Sequence, residues 1–557
     1  MEPYTLILLC ILVMAYILIR LENRRDSRNG KKALLRQSFG AIPQRENRDY
    51  GGIEYDWDFE QTNLSEQEQI DEITWNDLEM DAVYLRVNNC RSFAGEQALY
   101  TALHRLSQDR EAEESLRGKI RYFGEHETER ERATYLLHCL GKEHGSYYLP
   151  VFIRNLKGFE IPNIQFYRFM RGLLFCSFLP SALLLDTRYL VFPLFTALAN
   201  LVIYSFQKYK YSANLSMLRA TLGVIRTARL LSDPGKSGDG ELFPDLGELA
   251  QRFSRSARKI MRLNTREQSG LSGDLFSLLN AYLVGVTLSD FIRYNKLLRE
   301  LDGRKEDLLA LYQRVGEIDM AISVASFRAS LPHWCEPSFA EQDSPCQLEA
   351  EELYHPLLSH PVSNSASIRR SCIVTGSNAS GKSTFIKAVA VNVLLAQSIF
   401  TCSAARLTLP RTGLITSMAL RDDILSGESY YIKEIHYLKR IIDSLTPEMP
   451  TVCIVDEILR GTNTQERIAA SCAVLRYLAK HNCLAIVASH DIELTQLLER
   501  QYDNFHFSEQ ITDGGITFSY KIHSGPADSK NAIRLLEYMG FPEEITREAR
   551  ELAQPRG

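Results

Sequence analysis

The chain has 557 residues and a formal net charge of −5. Its length favours about three domains, and its slightly acidic charge excludes a chain-wide basic field of the kind that binds nucleic acids. The eleven cysteines include no CxxC pair and no cluster with zinc-ligand spacing. This pattern favours a reducing compartment without a structural metal over a disulfide framework.

The N-terminal residues predict a membrane anchor. Residues 4–19 carry no charge, and a basic segment follows between positions 20 and 36. A cleavable signal peptide would carry its positive charges before the apolar run, so an uncleaved anchor is the better interpretation. The positive-inside rule then places the following chain in the cytoplasm. We assign 1–21 to the anchor and 22–60 to a basic and polar linker.

A second apolar stretch, at 172–206, predicts a helical hairpin through a membrane. Two apolar segments, 173–185 and 189–206, are joined by Asp186, Thr187 and Arg188, and basic residues flank both outer ends. The alternative is a buried helix pair in a soluble core. Such a pair would show a polar stripe with a period of 3.6 residues, and the segments show none.

The remaining sequence predicts helices followed by an α/β domain. Apolar residues recur at helical spacing in 61–168 and again from 207 to about 330. After Pro332 short β-branched runs alternate with helical patterns, which is typical of βαβ units and a parallel sheet. We therefore predict a helical core at 61–168, the membrane hairpin at 169–206, a helical lever and clamp region at 207–345, and an α/β domain at 346–557.

The strongest chemical signal is a glycine loop between a short strand and a helix. Gly376-x-x-x-x-Gly381-Lys382-Ser383 follows a predicted buried strand at 372–375. Its glycines let backbone N–H groups turn towards phosphate oxygens, and the following helix adds its positive dipole end. Lys382 would reach the β- and γ-phosphates, and Ser383 would bind Mg²⁺. The predicted phosphate contacts are Gly376, Ser377, Asn378, Ala379, Ser380, Gly381, Lys382, Ser383 and Thr384.

Two further predicted strands end in chemically useful side chains. The strand at 452–455 is followed by Asp456 and Glu457, and a third strand leads to His490. A carboxylate at the end of a parallel strand suits the Mg²⁺ shell, which assigns Asp456, and the next one can polarise the attacking water. His490 would sense or stabilise the γ-phosphate. An isolated Asp-Glu pair or a lone histidine is a weak signal, but both gain weight beside the glycine loop.

Together these strand ends resemble the MutS family of ATPases, relatives of the ABC-type ATPases. "DDILSGESYYIKEIHYLKRIID" (422–443) is similar to a family segment whose serine acts in trans, which implies that role for Ser429. "ELYHPLL" (352–358) resembles the His-Pro entry to the family's ATPase domain and adds His355 to the nucleotide contacts. "ADSKNAIRLLEYMGFPEEITREARELA" (527–553) resembles the C-terminal helix-turn-helix that helps to hold two subunits together.

The resemblance implies a fold and an activity. The fold is an α/β P-loop NTPase domain of the ABC/MutS type, preceded by an all-α core and lever domain, with a transmembrane anchor and an internal transmembrane hairpin. The activity is hydrolysis of ATP, with Mg²⁺, at the interface of a homodimer. Residues 1–60 leave no place for a mismatch-recognition domain, and Ser377 and Ser380 replace the proline and glycine usual in repair members.

Several functional alternatives stay open at this point. We expect a multi-pass protein of the inner membrane with a cytoplasmic ATPase domain that transmits motion through helical levers. It would either bind DNA in a repair-like role, or act on an unknown protein or lipid partner without DNA, or serve as a nucleotide-gated scaffold. Double-stranded DNA or anionic lipid would contact a basic helical stripe, for which the alternative is a solvated face with local ion pairs: Arg252, Arg255, Arg258, Lys259 and Arg262.

Overall fold

The structure is a computed structural model that describes residues 14, 22, 29–43, 52–106, 109–233, 243–269, 283–341, 345–377, 380–418, 430–459, 463–512, 515–526, 536–537 and 539–553. Most of the predicted anchor at 1–21 lies outside these residues. The chain divides into two compact units. The helical unit comprises Met1–Phe59, Asn88–Thr101 and Gly118–Ser326, and the sheet unit comprises Glu60–Val87, Ala102–Arg117 and Phe327–Gly557.

The described residues before the first strand are mainly helical, as predicted. Their α-helices, in chain order, are α1 Trp57–Glu60, α2 Glu72–Asp77, α3 Met80–Val87, α4 Phe93–His104, α5 Arg110–Glu125, α6 Glu127–Leu140, α7 Leu149–Arg154, α8 Ile164–Cys176, α9 Leu179–Leu184, α10 Val191–Leu231, α11 Pro244–Arg252, α12 Ser254–Ser269, α13 Ser289–Asp302 and α14 Lys305–Ala329.

The start of α4 is held by a buried acid on α14. The backbone N–H of Ser92 donates to Asp319 Oδ2 at 2.7 Å, and the Ser92 hydroxyl donates to the same oxygen at 2.6 Å. A Cβ on Gly95 would lie 2.3 Å from Asp319 Oδ2, and a Cβ on Gly316 would lie 2.6 Å from Ala94 O. Only glycine permits this close crossing of the two helices, and burial raises the pKa of Asp319.

The predicted hairpin region is helical and largely exposed. Thr187–Gln207 is the one described segment that is long and apolar enough to cross a membrane, and 17% of its most apolar 18-residue window is buried. The first arm is not one continuous helix, because α8 ends at Cys176 and α9 begins at Leu179 with Pro180 in its first turn. Large apolar side chains are solvent-exposed along this region, including Leu183, Phe195 and Leu198. This exposure contradicts the buried-core alternative.

Residues 29–43 of the predicted linker contact the helical unit. Arg36 forms ion pairs with Glu127 at 2.6 Å and Glu131 at 3.0 Å. The backbone N–H of Gly40 donates to Ser326 Oγ at 3.0 Å. The Arg130 guanidinium lies over the Phe39 ring, 3.8 Å from its centroid. The chain that follows the predicted anchor is therefore attached to the helical unit through this segment.

The sheet unit contains two sheets and the remaining helices. The strands are β1 Ser338–Phe339, β2 Leu348–Leu353, β3 Asn364–Ile368, β4 Cys372–Thr375, β5 Arg406–Leu409, β6 Gly413–Ser417, β7 Thr451–Asp456, β8 Cys483–Ala488, β9 Asp503–Thr512 and β10 Gly515–Ser524. The helices are α15 Lys382–Ser398, α16 Tyr430–Ser444, α17 Thr464–Leu478, α18 Ile492–Leu497 and α19 Glu543–Ala553.

The larger sheet has six strands in the order β10-β9-β4-β8-β7-β6. All neighbours are parallel except β9 and β10, which form an antiparallel edge pair. The three predicted strands are confirmed as β4, β7 and β8. Since β8 lies between the other two, with Ala488 opposite both Val374 and Asp456, the carboxyl ends of all three meet at one edge.

The smaller sheet was not predicted. Its four strands have the order β1-β5-β2-β3, in which β1 and β5 are parallel and the other neighbours are antiparallel. The sheet unit also takes in 60–87 and 102–117, which lie before the predicted α/β domain at 346–557. One link is Asp77, whose carboxylate accepts from Thr416 Oγ1 at 2.7 Å and from Met418 N at 2.9 Å.

Candidate functional site

The glycine loop, Gly376–Ser383, connects β4 to α15. Gly376 has φ of +139°, and a Cβ there would lie 2.8 Å from Phe507 O. Gly381 has φ of +106° and forms the N-cap of α15. Both positions therefore require glycine, which explains the spacing of the motif. Asn378 and Ala379, two of the predicted phosphate contacts, lie outside the described residues.

Lys382 is folded back over the loop. Its side chain is buried, and Nζ donates to Gly376 O at 2.6 Å and to Ser377 O at 2.9 Å. The Ser380 hydroxyl also donates to Ser377 O, at 2.7 Å. These carbonyls solvate an ammonium group that burial would otherwise destabilise strongly. Ser383 and Thr384 follow in the first turn of α15, where Ser383 is half-buried and Thr384 is exposed.

The acidic pair lies at the end of β7, as predicted. Glu457 and Leu459 both have positive φ values, +56° and +57°, an uncommon conformation for residues other than glycine. The backbone N–H of Glu457 donates to Ala488 O at 2.9 Å, which fixes the turn to the end of β8. Strain of this kind persists where the surrounding structure holds it and is concentrated at functional sites.

The structure brings Lys382, Glu457 and His490 together. His490 Nε2 lies 2.8 Å from Glu457 Oε1, within hydrogen-bond distance. The same nitrogen lies 3.5 Å from Lys382 Nζ. A cation, an imidazole and a carboxylate thus converge from three different strand ends. The side chain of Glu457 is 19% exposed, so water can reach its largely enclosed carboxylate.

Asp456 and Ser383 fit a Mg²⁺ site. Asp456 is 8% exposed, and its Oδ1 atom is buried with no hydrogen-bond partner among the described residues. A buried carboxylate oxygen without a partner is costly, and a cation would satisfy it. Carboxylate and hydroxyl oxygens are suitable ligands for Mg²⁺, which usually keeps several waters and takes few protein ligands.

A positioning pair next to His490 was not recognised in the sequence. Arg467 on α17 donates to both carboxylate oxygens of Asp491, from Nε at 2.9 Å and from Nη2 at 2.6 Å. Asp491 directly follows His490, and a bidentate pair of this kind fixes geometry as well as charge. The two residues are 24 positions apart, and no local pattern in the sequence connects them.

His355 lies in a buried position after β2. Its exposed fraction is 8%, and its Nδ1 atom lies 3.4 Å from the backbone N–H of Leu357. Burial, as the larger cause, and the positive charge of Lys387 on α15 together lower the pKa of His355 to about 4, although Glu79 opposes the shift. The imidazole is therefore neutral at physiological pH.

The predicted basic stripe is divided between paired and exposed residues. Arg252 forms ion pairs with Glu248 at 3.0 Å and with Asp307 at 3.2 Å, and Lys259 pairs with Glu300. The other members are solvent-exposed on α12, and they are Arg255, Arg258 and Arg262. The alternative of local ion pairs thus applies to part of the stripe.

Ser429, the residue implied to act in trans, lies outside the described residues. The segment that follows it forms α16, and Arg440 on this helix pairs with Asp71 at 2.7 Å. The predicted C-terminal helix-turn-helix is described in part. Its second helix, α19, follows Gly540, which has φ of +74°, and Arg550 on α19 pairs with Glu537.

These features are typical of an α/β domain with a ligand site at one edge of its sheet. A mainly parallel sheet presents a glycine loop with its lysine, an acidic pair and a histidine at the carboxyl ends of adjacent strands. Ligands of α/β proteins bind at this edge, next to helix N-termini. The arrangement therefore resembles the nucleotide sites of α/β proteins.

Comparison with known proteins finds similarity to one family in part of the chain. Residues 372–555 match the family model of MutS domain V. The chain is 28% identical over 271 residues to the DNA mismatch repair protein MutS of Thermotoga petrophila, which covers 47% of this chain and 33% of that protein. The same values hold for the DNA mismatch repair protein MutS of Thermotoga maritima.

The chain spans about a third of the length of these curated relatives. The similarity to the MutS family thus includes the C-terminal residues 372–555, which match its domain V.

Proposed function

We propose that the sheet unit binds ATP with Mg²⁺ at the glycine loop and hydrolyses it. One observation carries this proposal: Lys382, Glu457 and His490 converge from three strand ends. His490 Nε2 lies 3.5 Å from Lys382 Nζ and 2.8 Å from Glu457 Oε1. The match of residues 372–555 to the family model of MutS domain V supports it. The residues that would hold the metal are Ser383 and Asp456, and Mg²⁺ would supply charge neutralisation for the phosphates.

Each of the converging side chains would have a separate role in hydrolysis. Lys382 would exchange its bonds with the carbonyls of Gly376 and Ser377 for bonds with phosphate oxygens. Glu457 would accept the proton of the attacking water, because its side chain is an ionisable carboxylate at the metal-facing strand end. His490 would hold Glu457 in place through the 2.8 Å contact, and the Arg467–Asp491 pair would fix His490.

The base assignment is tested with Glu457→Gln. This change keeps the size of the side chain and removes its basicity, so we expect turnover to fall by about 10²–10⁴-fold while ATP binding is retained. Steady-state phosphate release and equilibrium binding of a fluorescent ATP analogue measure the two effects. Glu499→Gln, on an exposed residue, is the matched control. Unchanged turnover in Glu457→Gln would refute the assignment.

We further propose that two copies form composite ATP sites. The support is the resemblance of the Ser429 segment to one that completes a partner's site. Chains carrying Lys382→Ala and chains carrying Ser429→Ala should each be inactive alone. Mixed in equal amounts, they should recover part of the activity, because one of the two composite sites would contain both residues. Absence of rescue in a mixture shown to form heterodimers would contradict composite sites.

The exposed apolar helices support a membrane location. We propose that α9 and the apolar part of α10 enter the bilayer, together with the N-terminal anchor, and that the ATPase faces the cytoplasm. About 20 apolar residues are needed to span a bilayer, and Thr187–Gln207 provides 21. The nucleotide-driven motion would then act on a lipid or protein partner held at the membrane.

DNA binding is the second candidate function. Its supporting observation is the exposed row of Arg255, Arg258 and Arg262 on α12, and the relatives' printed names refer to DNA mismatch repair. If duplex DNA is a ligand, it should stimulate ATP turnover with a steep dependence on salt. An Arg258→Gln and Arg262→Gln double variant should lose this stimulation. Turnover that is indifferent to DNA at low salt would exclude this candidate.

A further inference from the structure

Two cysteines of the sheet unit, Cys335 and Cys402, are paired in an isolated antiparallel β-bridge. The N–H of Cys335 donates to Cys402 O at 3.1 Å, and the N–H of Cys402 donates to Cys335 O at 2.9 Å. Residues that exchange both hydrogen bonds in an antiparallel pair have Cα atoms about 5.5 Å apart. Disulfides connect Cα atoms at about 4.4–6.8 Å, so this backbone geometry already suits a crosslink.

The two thiols differ in a way that suits exchange chemistry. Cys335 is half-buried, whereas Cys402 is fully buried. The hydrogen bond with the Cys402 thiol lowers the pKa of Cys335, and the positive charge of Arg328 lowers it further. Burial raises the pKa of Cys402. Cys335 is thus the accessible sulfur with more thiolate character, and Cys402 is the resolving thiol beside it.

The pair sits at a joint between two helices. Arg328, in the last turn of α14, donates from Nη2 to Phe400 O and from Nε to Thr401 Oγ1, both at 2.9 Å. Phe400 and Thr401 come after Ile399, the C-cap residue that ends α15, whose first residue is Lys382. The segment after α14 and the segment after α15 are therefore held together by Arg328, and the two cysteines belong to the same two segments.

We propose that Cys335 and Cys402 form a reversible disulfide that fixes this joint under oxidising conditions. The oxidant is a low-molecular-weight disulfide such as oxidised glutathione. The Cys335 thiolate attacks one of its sulfurs, which forms a mixed disulfide and releases one thiolate. The Cys402 thiolate then attacks the Cys335 sulfur and releases the second thiolate. Both released thiolates take up the protons that the two cysteines lost. The two cysteine thiols and the disulfide of the oxidant are thus converted into the Cys335–Cys402 disulfide and two low-molecular-weight thiols.

The crosslink is measured by treating the full-length chain with oxidised glutathione and mapping its peptides by mass spectrometry without reduction. We expect a linked peptide that contains both residues, and we expect dithiothreitol to remove it. Cys335→Ser and Cys402→Ala should each abolish it. Cys453→Ala should leave it intact, although it removes another close pair, whose sulfurs lie 3.0 Å apart. Glutathione at the exposed Cys139 serves as a control for reaction conditions.

Fixation of the joint is measured by amide hydrogen exchange in the same samples. Exchange in 330–336 and 399–404 should slow at least several-fold on oxidation and recover on reduction, whereas the Cys335→Ser chain should show no change. If glutathione accumulates on Cys139 and no linked peptide forms, the proposal is wrong. It is also wrong if the linked peptide forms and exchange at the joint is unaltered. Both readouts are independent of ATP turnover.

Discussion

Two apolar helices of this chain have opposite surroundings. In α15, fourteen of 17 residues are buried, because the helix packs beneath the six-stranded sheet. In Thr187–Gln207, which contains the apolar start of α10, only 17% of the most apolar 18-residue window is buried. Both sequences are rich in apolar residues. What distinguishes them is the partner surface: strands cover the first helix, and the described protein residues leave the second largely open.

The difference matters energetically because exposed apolar surface is costly in water. Burial of apolar area contributes about 25 cal/mol per Å², and soluble monomers seldom expose large contiguous apolar patches. A lipid environment would remove this cost for α10, whereas α15 needs none. Substitutions in the sheet unit should therefore change its free energy of unfolding in water, whereas substitutions in the apolar part of α10 should change binding to lipid.

The largest effect is expected in the core of the sheet unit. Leu475 is fully buried in the cluster between α17 and the sheet, so Leu475→Ala should lower the free energy of unfolding by about 2–5 kcal/mol. Denaturant unfolding followed by tryptophan fluorescence measures it in a Trp57→Phe background, which leaves Trp75 and Trp334, both in the sheet unit. Leu184→Ala, at a 60% exposed position, should leave this transition unchanged. Equal effects of both changes would contradict the comparison.

A charge in the apolar part of α10 should act on membrane association. Leu198 is 59% exposed, so Leu198→Arg should be tolerated by the fold but should disfavour a position at the bilayer centre by about 2.5–3.5 kcal/mol. Flotation of the full-length chain with anionic liposomes measures the bound fraction. Gln251→Arg adds the same charge to an exposed position of α11 and should not lower it. If the two variants float equally well, lipid does not cover this face.

The smallest expected effect is a pH dependence confined to the sheet unit. His355 has a pKa of about 4 in the folded chain, against 6.5 for an unperturbed histidine. Below pH 6.5 the unfolded chain therefore binds a proton that the folded chain excludes. Stability should fall by up to about 3 kcal/mol between pH 6.5 and 4 and level off below that range.

The control for this prediction is His355→Gln in the same fluorescence background. The variant should lose this part of the pH dependence, while His481→Gln, at an exposed position, should retain it. A wild-type slope that survives in His355→Gln would assign the effect to other groups. His355 would then have to be at least partly protonated in the folded chain.

The sequence predicted the site elements well because their signals are local. The strand at 372–375 is β4, with the same bounds, and the acidic pair and His490 follow β7 and β8 as expected. At Gly376 and Gly381 the backbone needs a positive φ and the residue is glycine, so the sequence itself marks these positions. Family resemblance supplied roles that no local pattern gives, such as that of Ser429, and this role stays a prediction.

Long-range contacts could not be predicted in the same way. The 2.8 Å contact of His490 with Glu457 and the pairing of Arg467 with Asp491 depend on the order of strands in the sheet. The smaller sheet was missed because β2 and β3 are short and polar on one face. The attachment of 29–43 was missed because its charged composition is also that of a solvated linker, and only its partners distinguish the two.

The length of α10 has a mechanical consequence. A helix of 41 residues is about 60 Å long, and after Pro193 in its first turn it contains no further proline at which it would bend. Near Asn200 and Tyr204 it is held by Val286 O at 2.8 Å and by the Phe291 ring. The inner part of α10 packs against α6, α11 and α12, so a tilt of that part would be transmitted to the apolar outer part. A tilt of about 10° would move the tip of the roughly 25 Å outer section, Val191–Gln207, sideways by about 4 Å.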